Sequence, residues 1–176
     1  MNEKRDKHAQ VWIETVIYTL IGLAVIGILL GVSKPKIDAM KDKLLIEQTI
    51  ASLNEINARI YDVQSAPGNK RILELKISKG RLFLDSFSNE IRWEIDSVYK
   101  YSEPGQAVPS GNLVIITEGS GPYKVKLSIV YSLNISYKQT EEVVELDGSP
   151  TPYKLTIENR GASATSPAVN VDLSTV

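Results

Sequence analysis

The sequence predicts an α+β chain. A long N-terminal helix, membrane-spanning and then amphipathic, precedes an antiparallel β-sheet or sandwich head. Three observations predict it. From Thr15 to Ser33 there are 19 residues without a charge, about what a helix needs to cross a hydrocarbon core of about 30 Å. From Ile37 to Val63 apolar residues recur mostly every three or four positions, the period of a helix with one apolar face. From Lys70 onward the period falls to two, as in strands with one buried face.

The chain has 176 residues, 20 basic and 21 acidic, for a net charge of −1. That length suits an anchor and one folded domain. Nucleic acid as a partner is not expected, since it calls for a concentrated basic face. There is no cysteine, so disulfide staples and thiolate zinc sites are excluded. An exported head must hold together by packing alone.

Four segments follow from the pattern: a leader over 1–9, an apolar helix over 10–33, an amphipathic stalk helix over 34–66, and a β-rich head over 67–176. The leader carries Lys4, Arg5 and Lys7 against Glu3 and Asp6. Lys34, Lys36, Lys41 and Lys43 follow the apolar run. Basic residues thus flank both ends, and charge bias does not set the orientation. The run exceeds the roughly 7–15 apolar residues of a secretory signal, and no A-x-A-like cleavage site follows it. Glu14 stands at its mouth. An acid there is cheap at headgroup level and costly deeper, on the order of 2.5–3.5 kcal/mol at the bilayer centre.

Within the run, Gly22, Gly27 and Gly31 thin the helix, and small residues let helices approach closely in an apolar medium. Pro35 interrupts the pattern. It kinks or breaks the helix, or it sits in the first turn of a new helix capped by Ser33. Beyond it Ile37, Met40, Leu44, Ile46, Ile50, Leu53, Ile56, Ile60 and Val63 form the apolar stripe. The helix is expected to stop before the breaker cluster Ala66-Pro67-Gly68-Asn69.

In the head, alternation marks strands around Leu73–Ile77, Leu82–Leu84, Ile91–Ile95, Leu113–Thr117, Tyr123–Tyr131, Val143–Leu146, Tyr153–Ile157 and Val169–Leu173. Lys79-Gly80 reads as a turn, and Asp147-Gly148 as a hairpin turn. Glu103 to Gly111 reads as a loop and Arg160 to Pro167 as a polar spacer. Seven or eight short strands at this spacing argue a sheet or sandwich. Asn134-Ile135-Ser136 is an N-glycosylation sequon, suited to an outward-facing head. Tyr99, Tyr101, Tyr123, Tyr131, Tyr137 and Tyr153 read as strand residues with a buried ring and a wet hydroxyl, or as an adhesive surface.

The leader precedes the apolar run, a small residue, Ala9, ends it, and Gln10-Val11-Trp12-Ile13-Glu14 follows. This stretch resembles the Gln-x-x-x-Glu start of archaeal type IV pilins, whose leader is a class III signal peptide. The resemblance covers residues 4–33. It implies cleavage between Ala9 and Gln10, leaving Glu14 as the fifth residue of the mature chain. It implies that Glu14 pairs with the free amine of a neighbouring subunit, and that Gly22, Gly27 and Gly31 pack in a filament core. The implied partners are further copies of the chain in a helical homopolymer, the membrane, a prepilin peptidase, an assembly ATPase and a platform membrane protein. The implied location is the cell membrane first and an extracellular, adhesive filament afterwards. Two other readings stand beside it: a monomeric single-pass surface protein whose head binds a ligand, and a minor pilin.

Enzymatic activity is not expected. The one histidine, His8, lies in the leader, so a trimmed chain has no Ser-His or Cys-His pair and lacks the commonest zinc ligands. No phosphate-cradling glycine loop is present, and neither cofactor nor metal is expected.

Overall fold

The computed structural model describes the backbone of residues 3–163 and 166–175 and the side chains of residues 11–162 and 169–175. It divides into two compact units, residues 1–40 and 41–176. A single helix, α1 (Glu3–Val63), contributes to both. Helical backbone runs through Pro35, so the proline neither ends the helix nor starts a new one. Its ring nitrogen has no hydrogen to offer the Gly31 carbonyl one turn back, and α1 forgoes that one bond.

The second unit holds two sheets. Four strands order as β1 (Lys70–Leu75), β9 (Tyr153–Ser163), β10 (Ser166–Thr175) and β7 (Asn134–Tyr137). Six order as β4 (Ala107–Ser110), β5 (Leu113–Glu118), β6 (Tyr123–Val130), β3 (Glu90–Ser97), β2 (Arg81–Asp85) and β8 (Val143–Asp147). All pairings between these strands are antiparallel except β7 with β10, which is parallel.

The register explains the core. In the six-stranded sheet Leu146, Leu82, Trp93, Leu127 and Ile115 form one row across five strands, and all five are buried. In the four-stranded sheet Ile157, Leu173 and Tyr137 make a similar row. Period-2 alternation sends these side chains inward and their neighbours outward. On the outer side of the larger sheet, Arg92 bonds Glu90 and Glu94, Arg81 bonds Glu145, and Lys126 bonds Glu118. The Phe83 ring lies 5.0 Å from the Arg92 guanidinium and 5.7 Å from that of Arg81. Such ladders solvate the face and add little each.

The helix completes this core. Ile46, Leu53, Ile56, Ile60 and Val63 are fully buried and belong to the same hydrophobic cluster as both sheets. Burying five such side chains contributes on the order of 10 kcal/mol. The stripe starts later than the sequence pattern suggests, because Ile37, Met40 and Leu44 are exposed. The reason is a two-residue step. Leu44 to Ile46 turns the helix by about 200°, which puts the first three residues on the opposite face.

Two polar clamps fix the helix. Asp42 is buried; its Oδ1 accepts from Lys79 Nζ at 2.6 Å and its Oδ2 from the Val98 N–H at 2.8 Å. At the other end Asn159, also buried, donates through Nδ2 to the Val63 carbonyl at 2.9 Å and accepts from the Gly161 N–H at 2.7 Å. That satisfies one of the carbonyls every helix leaves over at its C-terminus.

Several sequence expectations are corrected. Asp147-Gly148 is not a hairpin turn, since β8 and β9 belong to different sheets. The expected loop 103–111 contains β4, which pairs with β5. Pro109 is tolerated there because β4 is an edge strand. Of the expected spacer 160–167, the described residues belong to β9 and β10, which pair antiparallel. Lys79-Gly80 is a turn as expected: Gly80 has φ +83°, and a Cβ there would collide with the Glu94 carbonyl.

Burial opposes the Asp42 charge, but the Lys79 and Val98 hydrogen bonds outweigh it and hold the carboxyl below its usual range. Asp42→Ala is expected to destabilise the chain by about 1–3 kcal/mol at neutral pH, because it strands the Val98 N–H and the Lys79 charge. A depressed folded pKa means the carboxylate's contribution is complete above its unfolded value of about 3.9 and is lost as pH falls through the folded value. Urea unfolding of wild type and variant in detergent should therefore show a gap that narrows under acid. A gap unchanged by acid would rule out the carboxylate as its source. Asn159→Ala is expected to cost about 1–3 kcal/mol, since it orphans the Val63 carbonyl and the Gly161 N–H; an unchanged thermal midpoint would contradict that clamp.

Candidate functional site

The candidate segment is the apolar part of α1. From Val11 the helix contains an 18-residue window of mean hydropathy 2.4, none of it buried. Its length and composition are enough to cross a membrane. Two hydroxyls inside it are satisfied locally. Thr15 Oγ1 donates to the Val11 carbonyl at 2.8 Å and Thr19 Oγ1 to the Thr15 carbonyl at 2.7 Å. This i−4 back-bonding is how a hydroxyl is accommodated on a helix in hydrocarbon.

Ala9 and Gln10 have side chains outside the described residues. Glu14 is described and lies on the surface of α1. At about 100° per residue, Glu14, Tyr18 and Gly22 follow one another on one face, with Thr15 and Thr19 beside them. Gly27 and Gly31 lie together roughly opposite that face. The three glycines grouped from sequence therefore divide between two faces. At none of the three would a Cβ meet another atom within 4 Å, so no close contact within this chain requires them.

Asn134 opens β7, half-buried and in register with Asn170 of β10. The sequon's Ser136 Oγ donates to Asp172 Oδ1 at 2.9 Å. The Ile135 N–H donates to Asn89 Oδ1 at 2.8 Å. The sequon thus lies in a strand at the sheet edge, with its hydroxyl engaged.

The tyrosines do not form one surface. Tyr137 Oη shares a hydrogen bond of 2.6 Å with Thr175 Oγ1, and Tyr153 Oη donates to the Asp147 carbonyl at 3.0 Å. Tyr131 departs from the expected wet hydroxyl: ring and hydroxyl are buried, and the hydroxyl has no hydrogen-bond partner. Burial, together with nearby Tyr61, pushes its phenol well above the usual range. Among the described residues no three His, Cys, Asp or Glu side chains gather as a metal would need.

Sequence reading missed Asp42 and Asn159. Each is a single polar residue whose partner is distant along the chain, so no local pattern marks it. No family model, no curated protein and no solved structure matches the chain.

Gly27→Ala and Gly31→Ala are each expected to leave the monomer folded and to favour its helix by up to about 1 kcal/mol. Circular dichroism in micelles reads this directly. Lost helicity would mean that these positions are packed within the monomer.

Proposed function

We propose that this chain is a structural subunit of an archaeal type IV pilus-like surface filament. A single observation carries the reading: the small Ala9, then Gln10, then Glu14 as the fifth residue counted from Gln10, in a helix whose described residues are all exposed from Val11 to Val32. The leader is cut between Ala9 and Gln10 by a prepilin peptidase. An assembly ATPase and a platform protein then lift the chain from the membrane into a helical polymer.

Three features of α1 support it. An open helical polymer needs heterologous contacts, in which each subunit meets unlike faces of its neighbours. The face bearing Glu14, Tyr18 and Gly22 and the face bearing Gly27 and Gly31 are two such unlike faces. The exposed stripe of Ile37, Met40 and Leu44 extends apolar surface beyond the span. In the polymer Glu14 pairs with the amine freed on a neighbour's Gln10. In a medium of low dielectric the attraction between carboxylate and ammonium is strong, so the pair sets register.

The N-terminal residue of the protein taken from cell surfaces, read by mass spectrometry, tests the proposal. A start at Gln10 is expected; a chain still beginning at Met1 would leave a membrane-anchored binding domain instead. Glu14→Gln is expected to leave the head folded and to reduce filament number severely. Normal filaments from that variant would refute the pairing.

A further inference from the structure

A half-open cleft of about 420 Å³ lies at the carboxyl end of α1, a volume typical of small-molecule sites. Its walls come from separate parts of the head. Tyr61 comes from the last turn of α1 and Gln64 follows it, Asn112 comes from the β4–β5 turn, Val130 from the end of β6, and Ser132 and Leu133 from the β6–β7 connection. Tyr61 is half exposed and Val130 is 68% exposed. Asn112 Nδ2 donates to Tyr61 Oη at 2.9 Å, which fixes the ring against the turn. The other Asn112 hydrogen and its carbonyl oxygen remain for a ligand, as do the Gln64 amide and the Ser132 hydroxyl. No charged side chain lines the cleft.

That lining selects a chemical class. A charged ligand would shed water and find no opposite charge. A wholly apolar one would cover the amides and return no hydrogen bond. A small neutral molecule with one apolar face and a rim of hydroxyls meets both demands. A pyranose ring is such a molecule. Its C–H face lies on an aromatic or aliphatic wall, and its hydroxyls reach side-chain amides that both donate and accept. We propose that this cleft binds a neutral sugar ring, with Tyr61 and Val130 as the apolar wall and Asn112, Gln64 and Ser132 as the polar contacts. The site does not depend on the filament reading, because every residue in it comes from one compact unit of one chain, Lys41–Val176.

The test is saturation-transfer NMR on the full chain, held in a detergent without a sugar headgroup. The probes are glucose, galactose, mannose and N-acetylglucosamine. At least one is expected to receive saturation and to titrate to a defined Kd. Asn112→Ala and Tyr61→Ala should each weaken that binding by about threefold to tenfold. Phe87→Ala, which removes a more exposed aromatic ring elsewhere on the head, should leave it unchanged. Circular dichroism checks that each variant is folded. If Tyr61→Ala disturbs the last turn of α1, Asn112→Ala on its exposed turn decides the matter. No transfer to any of the four sugars would overturn the proposal, and so would binding indifferent to Asn112→Ala or binding lost equally in Phe87→Ala.

Discussion

The head depends on burial of one face of α1. Ile46, Leu53, Ile56, Ile60 and Val63 share a core with the inward rows of both sheets, and on that face the helix is as much a core element as any strand. Steps of four and three from Asp42 to Val63 keep the buried positions on one side. The hydrophobic term outweighs the polar clamps, on the order of 10 kcal/mol against about 1–3 for either clamp. The clamps contribute position. Asp42 ties the start of the buried stretch to the β1–β2 turn and the end of β3, and Asn159 ties its end to β9.

The same helix has two different surface chemistries along its length. From Thr15 to Val32 it is uncharged and mostly apolar on every face, and the Thr15 and Thr19 hydroxyls bond back to the helix. From Asp42 one face is apolar and the other carries Lys43–Glu47 and Glu55–Arg59 pairs at helical spacing. Between these stretches Ile37, Met40 and Leu44 keep an apolar line on the face that the core does not use. An apolar line with no core to cover it is what a neighbouring molecule would use, which is why the filament reading treats α1 as the assembling element. The cleft at the far end of the same helix is built from amides, a hydroxyl and an apolar wall. Assembly and recognition would then draw on different residues.

Elements with a strong period were legible without coordinates. The uncharged run, the helix end before Ala66, and most strands follow directly from spacing 3.6 or 2. What was not legible depends on partners far along the chain. β4 is exposed at all four residues, so no buried alternation announces it; its pairing with β5 creates it. β7 is four residues long and pairs in parallel with β10, some 36 positions later at Asn134↔Asn170. Asp147-Gly148 has the composition of a hairpin, but β8 pairs with β2 and β9 with β1 and β10. Local turn chemistry favours a change of direction without choosing which sheet the next strand joins.

The sequence by itself determined the division into an apolar helix, an amphipathic helix and a β-rich head, and it placed Glu14 relative to Ala9 and Gln10. Those features rest on hydropathy and spacing, which are properties of neighbouring residues. Only the tertiary structure decided where along α1 burial begins, that Asp42 and Asn159 hold the helix, and that Tyr61, Asn112 and Ser132 share one cleft. Each of these is a meeting of groups separated by many residues, and it exists only once the sheets have fixed the distances between them.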